Sequence, residues 1–185
     1  MSEAKNDNQK KNIASVQNAE PVAFVLREGQ ISISDSLTFY CKADVLNALG
    51  TRKDNGEPYK SLQTALVRTS DKRYVWFPII DKKGKDSGKK KDSNDKWYNI
   101  MVDDEHITEM CEDPKLDKNW KERAKAFDDK QPVRYLVFSR INKKGYEYLG
   151  TFEMAGYDYT QRPYKTFWRR VETSAQVCKI FKDKR

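Results

Sequence analysis

Apolar and polar positions along this chain fall into short stretches, many with the two-residue period of β-strands. In Val133–Ser139, the residues Val133, Tyr135 and Val137 alternate with Arg134, Leu136 and Phe138, so one face reads as apolar and the other as mixed. A second run, Tyr146–Phe152, follows Asn142-Lys143-Lys144-Gly145, a turn signal whose glycine can take a positive φ. A third, Lys165–Val171, carries Phe167, Trp168, Arg169 and Arg170. Together they predict three antiparallel strands dense in tyrosine, phenylalanine, tryptophan and arginine. Most large aromatics in such a unit fill a small core. The same side chains suit nucleobases and phosphates.

Upstream, residues 1–20 are polar and predict a disordered leader. Val22–Leu26 reads as a short apolar strand. Ile31 and Ile33 alternate with Ser32 and Ser34, and with Leu37–Cys41 they predict a first hairpin. Lys42-Ala43-Asp44 opens a helix with Val45, Leu46 and Leu49 on one face and Gly50 as its stop. Thr51–Pro58 is a loop, and Ser61–Val67 fits either a short helix or a strand. Tyr74–Ile80 is the most apolar run, where Pro78 places the strand at an edge or near a bend. Further on, Trp97 and Ile100 take buried positions and Asp103-Asp104-Glu105 marks a turn. Ile107–Cys111 then resumes as a strand or short helix. Asp117–Phe127 spaces Trp120, Ala124 and Phe127 as a helix does, with Asp117 as N-cap. A last packed turn surrounds Val177 and Ile180-Phe181. One domain over residues 21–181 follows, with a tail at 182–185.

Charge narrows the function. Low mean hydropathy, −0.94, combined with 12% aromatic residues, suggests a compact core carrying long polar loops. The net charge of +8 stands on 36 basic and 28 acidic residues, so any basic face must be local. Such a balance points first to nucleic acid and second to an acidic protein partner. Asp81–Lys96 holds seven lysines against four aspartates, and reads either as a solvated insertion or as a loop that tracks a phosphate backbone. No apolar run approaches the ~20 residues that span a bilayer, and no signal-peptide core is present, which predicts an intracellular, cytoplasmic protein. Cys41, Cys111 and Cys178 are widely spaced and read as reduced thiols.

Signals for catalysis are weak. No Gly-rich phosphate loop and no nucleophile elbow occur. With one histidine, His106, and no Cys-x-x-Cys, neither a zinc site nor another cofactor is expected. Asp113-Pro114-Lys115 and Asp128-Asp129-Lys130 hold only the last part of a metal-nuclease pattern. Binding signals are stronger. Tyr157, Tyr159 and Tyr164 belong to a loop bounded by Gly156 and Pro163. Trp97, Tyr98, Tyr157 and Tyr159 are stacking candidates, and Asp158 is placed to accept from a base edge. Arg140, Lys143, Lys144, Arg162, Arg169 and Arg170 are phosphate candidates, or else pair across strands with Glu147, Glu153 and Glu172.

An ordered set of residues carries a family resemblance. It runs through Trp97-Tyr98-Asn99, Asp104-Glu105 and Ile107-x-Glu109 to Pro132-Val133-Arg134-x-x-Val137-Phe138-x-Arg140. It continues with Tyr148-Leu149-Gly150-x-Phe152 and closes on Phe167-Trp168-Arg169-Arg170-Val171. This resembles the SRA/YDG-like domains, of PUA-like barrel architecture, that accompany modification-dependent restriction endonucleases. The resemblance implies an α+β fold: a curved, antiparallel, barrel-like sheet with two or three flanking helices. It also implies non-catalytic recognition of DNA that contains a modified or flipped base, with a nuclease or other defence protein as partner. A PUA-like barrel that binds RNA, and a protein-interaction module, remain as other readings.

Overall fold

The computed structural model describes residues 29–69, 72–82, 97–140 and 145–177. The leader, the Val22–Leu26 strand, all of the basic loop beyond Lys82, Lys143, Lys144 and the Ile180-Phe181 turn lie outside the described residues.

β1 (Gln30–Ser32) ends where Ser32 caps a 3-10 turn over Ile33–Asp35, with the Asp35 carboxylate accepting from the Ser32 backbone N–H at 2.7 Å. That turn removes the expected first hairpin. The partner of β1 is instead β11 (Ser174–Gln176), antiparallel, and β2 (Thr38–Phe39) pairs elsewhere. α1 (Lys42–Ala48) forms as the pattern predicts, burying Val45 and Leu46, with Leu49 buried just beyond it. Gly50, at φ +74°, leaves the helix in the left-handed region that glycine tolerates. The ambiguous segment resolves as β3 (Leu66–Arg68), antiparallel to β4 (Tyr74–Trp76).

Pro78 interrupts the most apolar run. β4 stops at Trp76, β5 (Ile80–Lys82) starts past the proline, and Ser139 Oγ donates to the Pro78 carbonyl at 2.8 Å. β6 (Trp97–Met101) and β7 (His106–Cys111) form a hairpin, in whose turn the Asp103 carboxylate accepts from the Glu105 N–H. Asp113 caps a 3-10 turn over Pro114–Leu116 that runs into α2 (Asp117–Asp128). The three-strand unit follows as β8 (Arg134–Ser139), β9 (Tyr146–Asp158) and β10 (Tyr164–Glu172).

The large sheet has the order β3-β4-β8-β9-β10-β7-β6-β5, with β2 beside the start of β9. Its path is open and mostly antiparallel; β4–β8 and β5–β6 are parallel. Register shifts where β9 meets β8 and β10 mark irregularities that bend the sheet. Gly150 sits at one of them with φ +120°, and Arg170 packs so closely that a Cβ there would lie 2.5 Å from its Cδ.

β8 corrects the expectation of one mixed face. Leu136 and Phe138 pack with Val45 and Leu46 of α1 and with Leu49 just past it, while Tyr135 and Val137 pack with Trp76, Phe152 and Trp168 on the other side. A central strand covered on both faces reads as continuously apolar. The sheet therefore divides two cores, and the second continues toward α2.

Candidate nucleic-acid interface

Trp97 and Tyr98 are consecutive on β6 and so point to opposite faces. Trp97 lies in register with Cys111 and Tyr164, on the side covered by α2. Tyr98 lies beside Met110 and Lys165 on the other side. Burial, then the nearby Glu112 carboxylate, pushes the Tyr98 phenol up from its ordinary pKa.

The expected Gly156–Pro163 loop is shorter than the pattern suggested. β9 continues through Tyr157 and Asp158, so only residues 159–163 connect it to β10. Pairing with Thr166 and Lys165 keeps this end of β9 extended. Tyr157 donates its hydroxyl to the Asp128 carboxylate of α2 at 2.8 Å, and its ring meets Phe127 edge-on. Tyr159 lies between Tyr157 at 4.6 Å and Tyr164 at 5.3 Å, bonds Thr166 Oγ1 at 2.8 Å, and has its pKa pushed up to about 12 by burial. Asp158 accepts from the Thr160 N–H at 3.1 Å and hydroxyl at 2.6 Å, bonds that hold its carboxyl below the usual range.

The arginine candidates are dispersed. Arg140 stacks 4.8 Å from the Tyr146 ring and donates to the Tyr40 carbonyl. Arg162 bonds Asp117 at 2.6 Å and stacks on Tyr164 at 4.5 Å. Arg170 crosses Gly150 and donates to the Leu149 carbonyl at 3.2 Å. Arg169 is exposed, in register with Glu153 on one side and His106 on the other. His106 is itself exposed and hydrogen-bonded to Asp103 at 2.8 Å. Among the described residues no group of side chains is arranged to hold a metal ion. Cys41 and Cys111 are free thiols, with Cys111 pushed up in pKa by burial.

A buried polar row lies under the aromatics. Asn99, Glu109 and Thr166 are directly opposite one another on β6, β7 and β10, and all three are buried. Glu109 is 1% exposed, and its Oε2 accepts from Arg123 Nη1 at 2.7 Å and from Trp168 Nε1 at 3.0 Å. Burial opposes the Arg123 charge most strongly, but Glu109, through charge and hydrogen bond, and the neighbouring Tyr135 and Tyr159 together hold the pKa above the ordinary value. Asn99 Nδ2 donates to the Ile79 carbonyl at 3.2 Å, while Asn99 Oδ1 is sealed from solvent and has no partner among the described residues. Beside it Trp97 is 38% exposed.

The rim of this end is apolar and positive. Ile79 is 81% and Tyr40 83% exposed. Arg140 stands next to Tyr40, and Lys42, whose pKa is lowered by burial and then by Arg140, donates to the carbonyls of Gln63 and Thr64. Asn99 and Glu109 entered the sequence analysis only through the family resemblance and not as site candidates, though each had a signal. Asn99 is two residues from Trp97 and must share its face, and Glu109 stands on the inward period between Ile107 and Cys111.

The model of the SRA family, the SET and RING associated domain, matches residues 24–177. The chain belongs to the SRA family. This SRA domain also superposes on the 5-hydroxymethylcytosine-specific restriction enzyme AbaSI, with a TM-score of 0.56 and 22% sequence identity. That similarity covers 80% of this chain and 42% of the enzyme's chain, so the SRA domain spans less than half of its fold neighbour. A search of curated protein sequences found no match. No helix among the described residues of the SRA domain is long and apolar enough to cross a membrane.

Proposed function

We propose that this SRA domain recognises DNA by receiving a modified base, turned out of the duplex, at the Trp97–Asn99 end of its sheet. The observation that carries this reading is Asn99 Oδ1. Its amide nitrogen is committed to the Ile79 carbonyl, so the oxygen is presented as a fixed acceptor. A buried acceptor left unpaired costs about 1–3 kcal/mol, and a base that supplies an N–H donor recovers that cost. Trp97, on the same strand face, offers a stacking surface of the kind worth ~1–3 kcal/mol per base. These gains offset the few kcal/mol required to unstack and unpair the base.

Arg140 and Lys42 supply positive charge for the phosphates, with Tyr40 exposed beside Arg140 and Ile79, whose carbonyl holds Asn99, exposed at the rim. Tyr157, Tyr159 and Arg162 build the neighbouring wall and brace it against α2, while Asp158 holds the turn after β9 through Thr160. The likeness to an enzyme named for 5-hydroxymethylcytosine supports a modified cytosine as the base. The SRA domain reads and positions; cleavage belongs to a separate domain or partner nuclease.

The test is fluorescence polarisation with duplexes that differ at one position, 5-hydroxymethylcytosine against cytosine. Wild-type protein is expected to prefer the modified duplex. Asn99→Ala and Trp97→Ala are each expected to weaken that binding by about 5- to 150-fold, the equivalent of ~1–3 kcal/mol. Unchanged affinity in both folded variants, or retention of only RNA or protein from solution, refutes the reading.

A further inference from the structure

Two sealed polar atoms near this site have no partner among the described residues. Asn99 Oδ1 is one. The other is the indole Nε1 of Trp120: the residue is fully buried, and its N–H finds no acceptor among the described residues. Buried donors of this kind are nearly always satisfied in native proteins, so an orphan calls for a specific explanation.

Two chains of contact link Trp120 to Asn99. The Trp120 ring lies 5.9 Å from Trp97, which shares a strand face with Asn99 at a separation of two residues. Arg123 stacks 4.5 Å from Trp120 and bonds Glu109, the residue directly across from Asn99. Trp120 is also held edge-on by Tyr159 at 5.1 Å and Tyr164 at 6.4 Å. Trp97 is the exposed member of this group, the one through which it meets solvent.

We propose that Trp120 Nε1 is a second reading group, which acts with Asn99 Oδ1 to select a base whose edge carries an amino donor beside a ring-nitrogen acceptor. This rests on the base-reading function proposed above. The protein supplies one acceptor and one donor, so the complementary edge is an amidine, N=C–NH2. Cytosine presents it through N4 and N3, and adenine through N6 and N1. On the same Watson–Crick edge thymine and guanine present the inverse, a carbonyl beside a ring N–H. That would set oxygen against Asn99 Oδ1 and N–H against the Trp120 N–H, two repulsive contacts in a dry site. Trp120 sets specificity by hydrogen-bond polarity; its ring, packed edge-on by neighbours, contributes wall rather than stacking.

Trp120→Phe removes the N–H and keeps an aromatic ring. Affinity is measured for duplexes identical except at one position, which holds 5-hydroxymethylcytosine, 5-hydroxymethyluracil, N6-methyladenine or cytosine. Wild type is expected to favour 5-hydroxymethylcytosine over 5-hydroxymethyluracil by about tenfold or more, since the two share a 5-substituent and differ in edge polarity. In Trp120→Phe, binding of 5-hydroxymethylcytosine falls about 5- to 10-fold while 5-hydroxymethyluracil binds as before or better, so the ratio collapses. The arm with N6-methyladenine tells whether the purine or the pyrimidine is the source of the edge.

An unchanged ratio in a folded Trp120→Phe overturns the proposal and leaves base reading intact, a buried water then being the partner of Trp120. Failure of wild type to separate modified from unmodified duplex, with Trp97→Ala also silent, removes base reading itself. Should Trp120→Phe not fold, wild type is tested with the 3-deaza analogue of 5-hydroxymethylcytosine, which lacks the ring-nitrogen acceptor. The same 5- to 10-fold loss, estimated from one hydrogen bond, is expected there, and equal affinity overturns the proposal.

Discussion

Replacing Arg123 with alanine measures how firmly α2 is held on the sheet through Glu109. The Glu109 side chain is 2% exposed and that of Arg123 14%, and they meet at 2.7 Å. Removing one partner of a buried ion pair costs about 3–5 kcal/mol, because the other charge is left in a medium that solvates it poorly. The Trp168 indole N–H, 3.0 Å from the same oxygen, stays in place and tempers that penalty. Loss of the guanidinium stacked on Trp120 adds to it, by up to ~2 kcal/mol where the contact is desolvated. The expectation is a loss of about 3–4 kcal/mol. Glu109→Gln keeps an acceptor for both donors, and Arg123 retains some access to water, so its cost is smaller, roughly 1–2 kcal/mol. Urea unfolding followed by tryptophan fluorescence reads both values, with an unchanged m-value confirming that the folded state stays compact. A loss under about 1 kcal/mol for Arg123→Ala, within the range of an ordinary surface pair, would refute the reasoning and mean that water reaches Glu109.

Two further outcomes follow from the packing. Gly150→Ala should lower stability by roughly 1–3 kcal/mol from backbone strain alone, and by more from contact, since the new Cβ falls 2.8 Å from the Glu172 carbonyl oxygen; thermal melting checks this. Tyr148 and Tyr159 both have pKa values pushed up to about 12, against an unfolded value of 10.0, chiefly by burial. Above pH 10 the unfolded chain therefore sheds protons that the folded one keeps, and stability falls as pH rises toward 12. Replacing both tyrosines with phenylalanine should flatten that fall in denaturation curves taken across the interval.

Much of the architecture was legible because it rests on local pattern. α1, the β6–β7 turn, the break at Pro78 and the three-strand unit all follow from spacing, caps and turn residues. What escaped was set by contacts distant in sequence. Nothing near Ile31 announces that its strand will pair with Ser174–Gln176, and the two covered faces of β8 exist because α1 and the curled sheet arrive on opposite sides. At the site, the tyrosines around 157–159 drew attention by density, yet the fold engages each of them with a named neighbour. Asn99 has the opposite character. An asparagine between Tyr98 and Ile100 looks ordinary until strand register puts it over Glu109 and leaves its oxygen without a donor.

The pairing of β1 with β11 has a consequence for how the protein comes off the ribosome. Residues 30–32 emerge early and residues 174–176 late, at the ~5–20 residues per second of synthesis. Ile31, Ala175 and Val177 close the same apolar cluster that receives α1. Until that late segment appears, the inner faces of α1 and β8 have no cover on this side. The nascent chain therefore carries an exposed greasy surface until residues 174–176 are made, and closure is a long-range step that local helix and hairpin formation cannot hasten. Stalled or truncated products that lack residues 174–176 would leave this cluster open and go to chaperones and proteases.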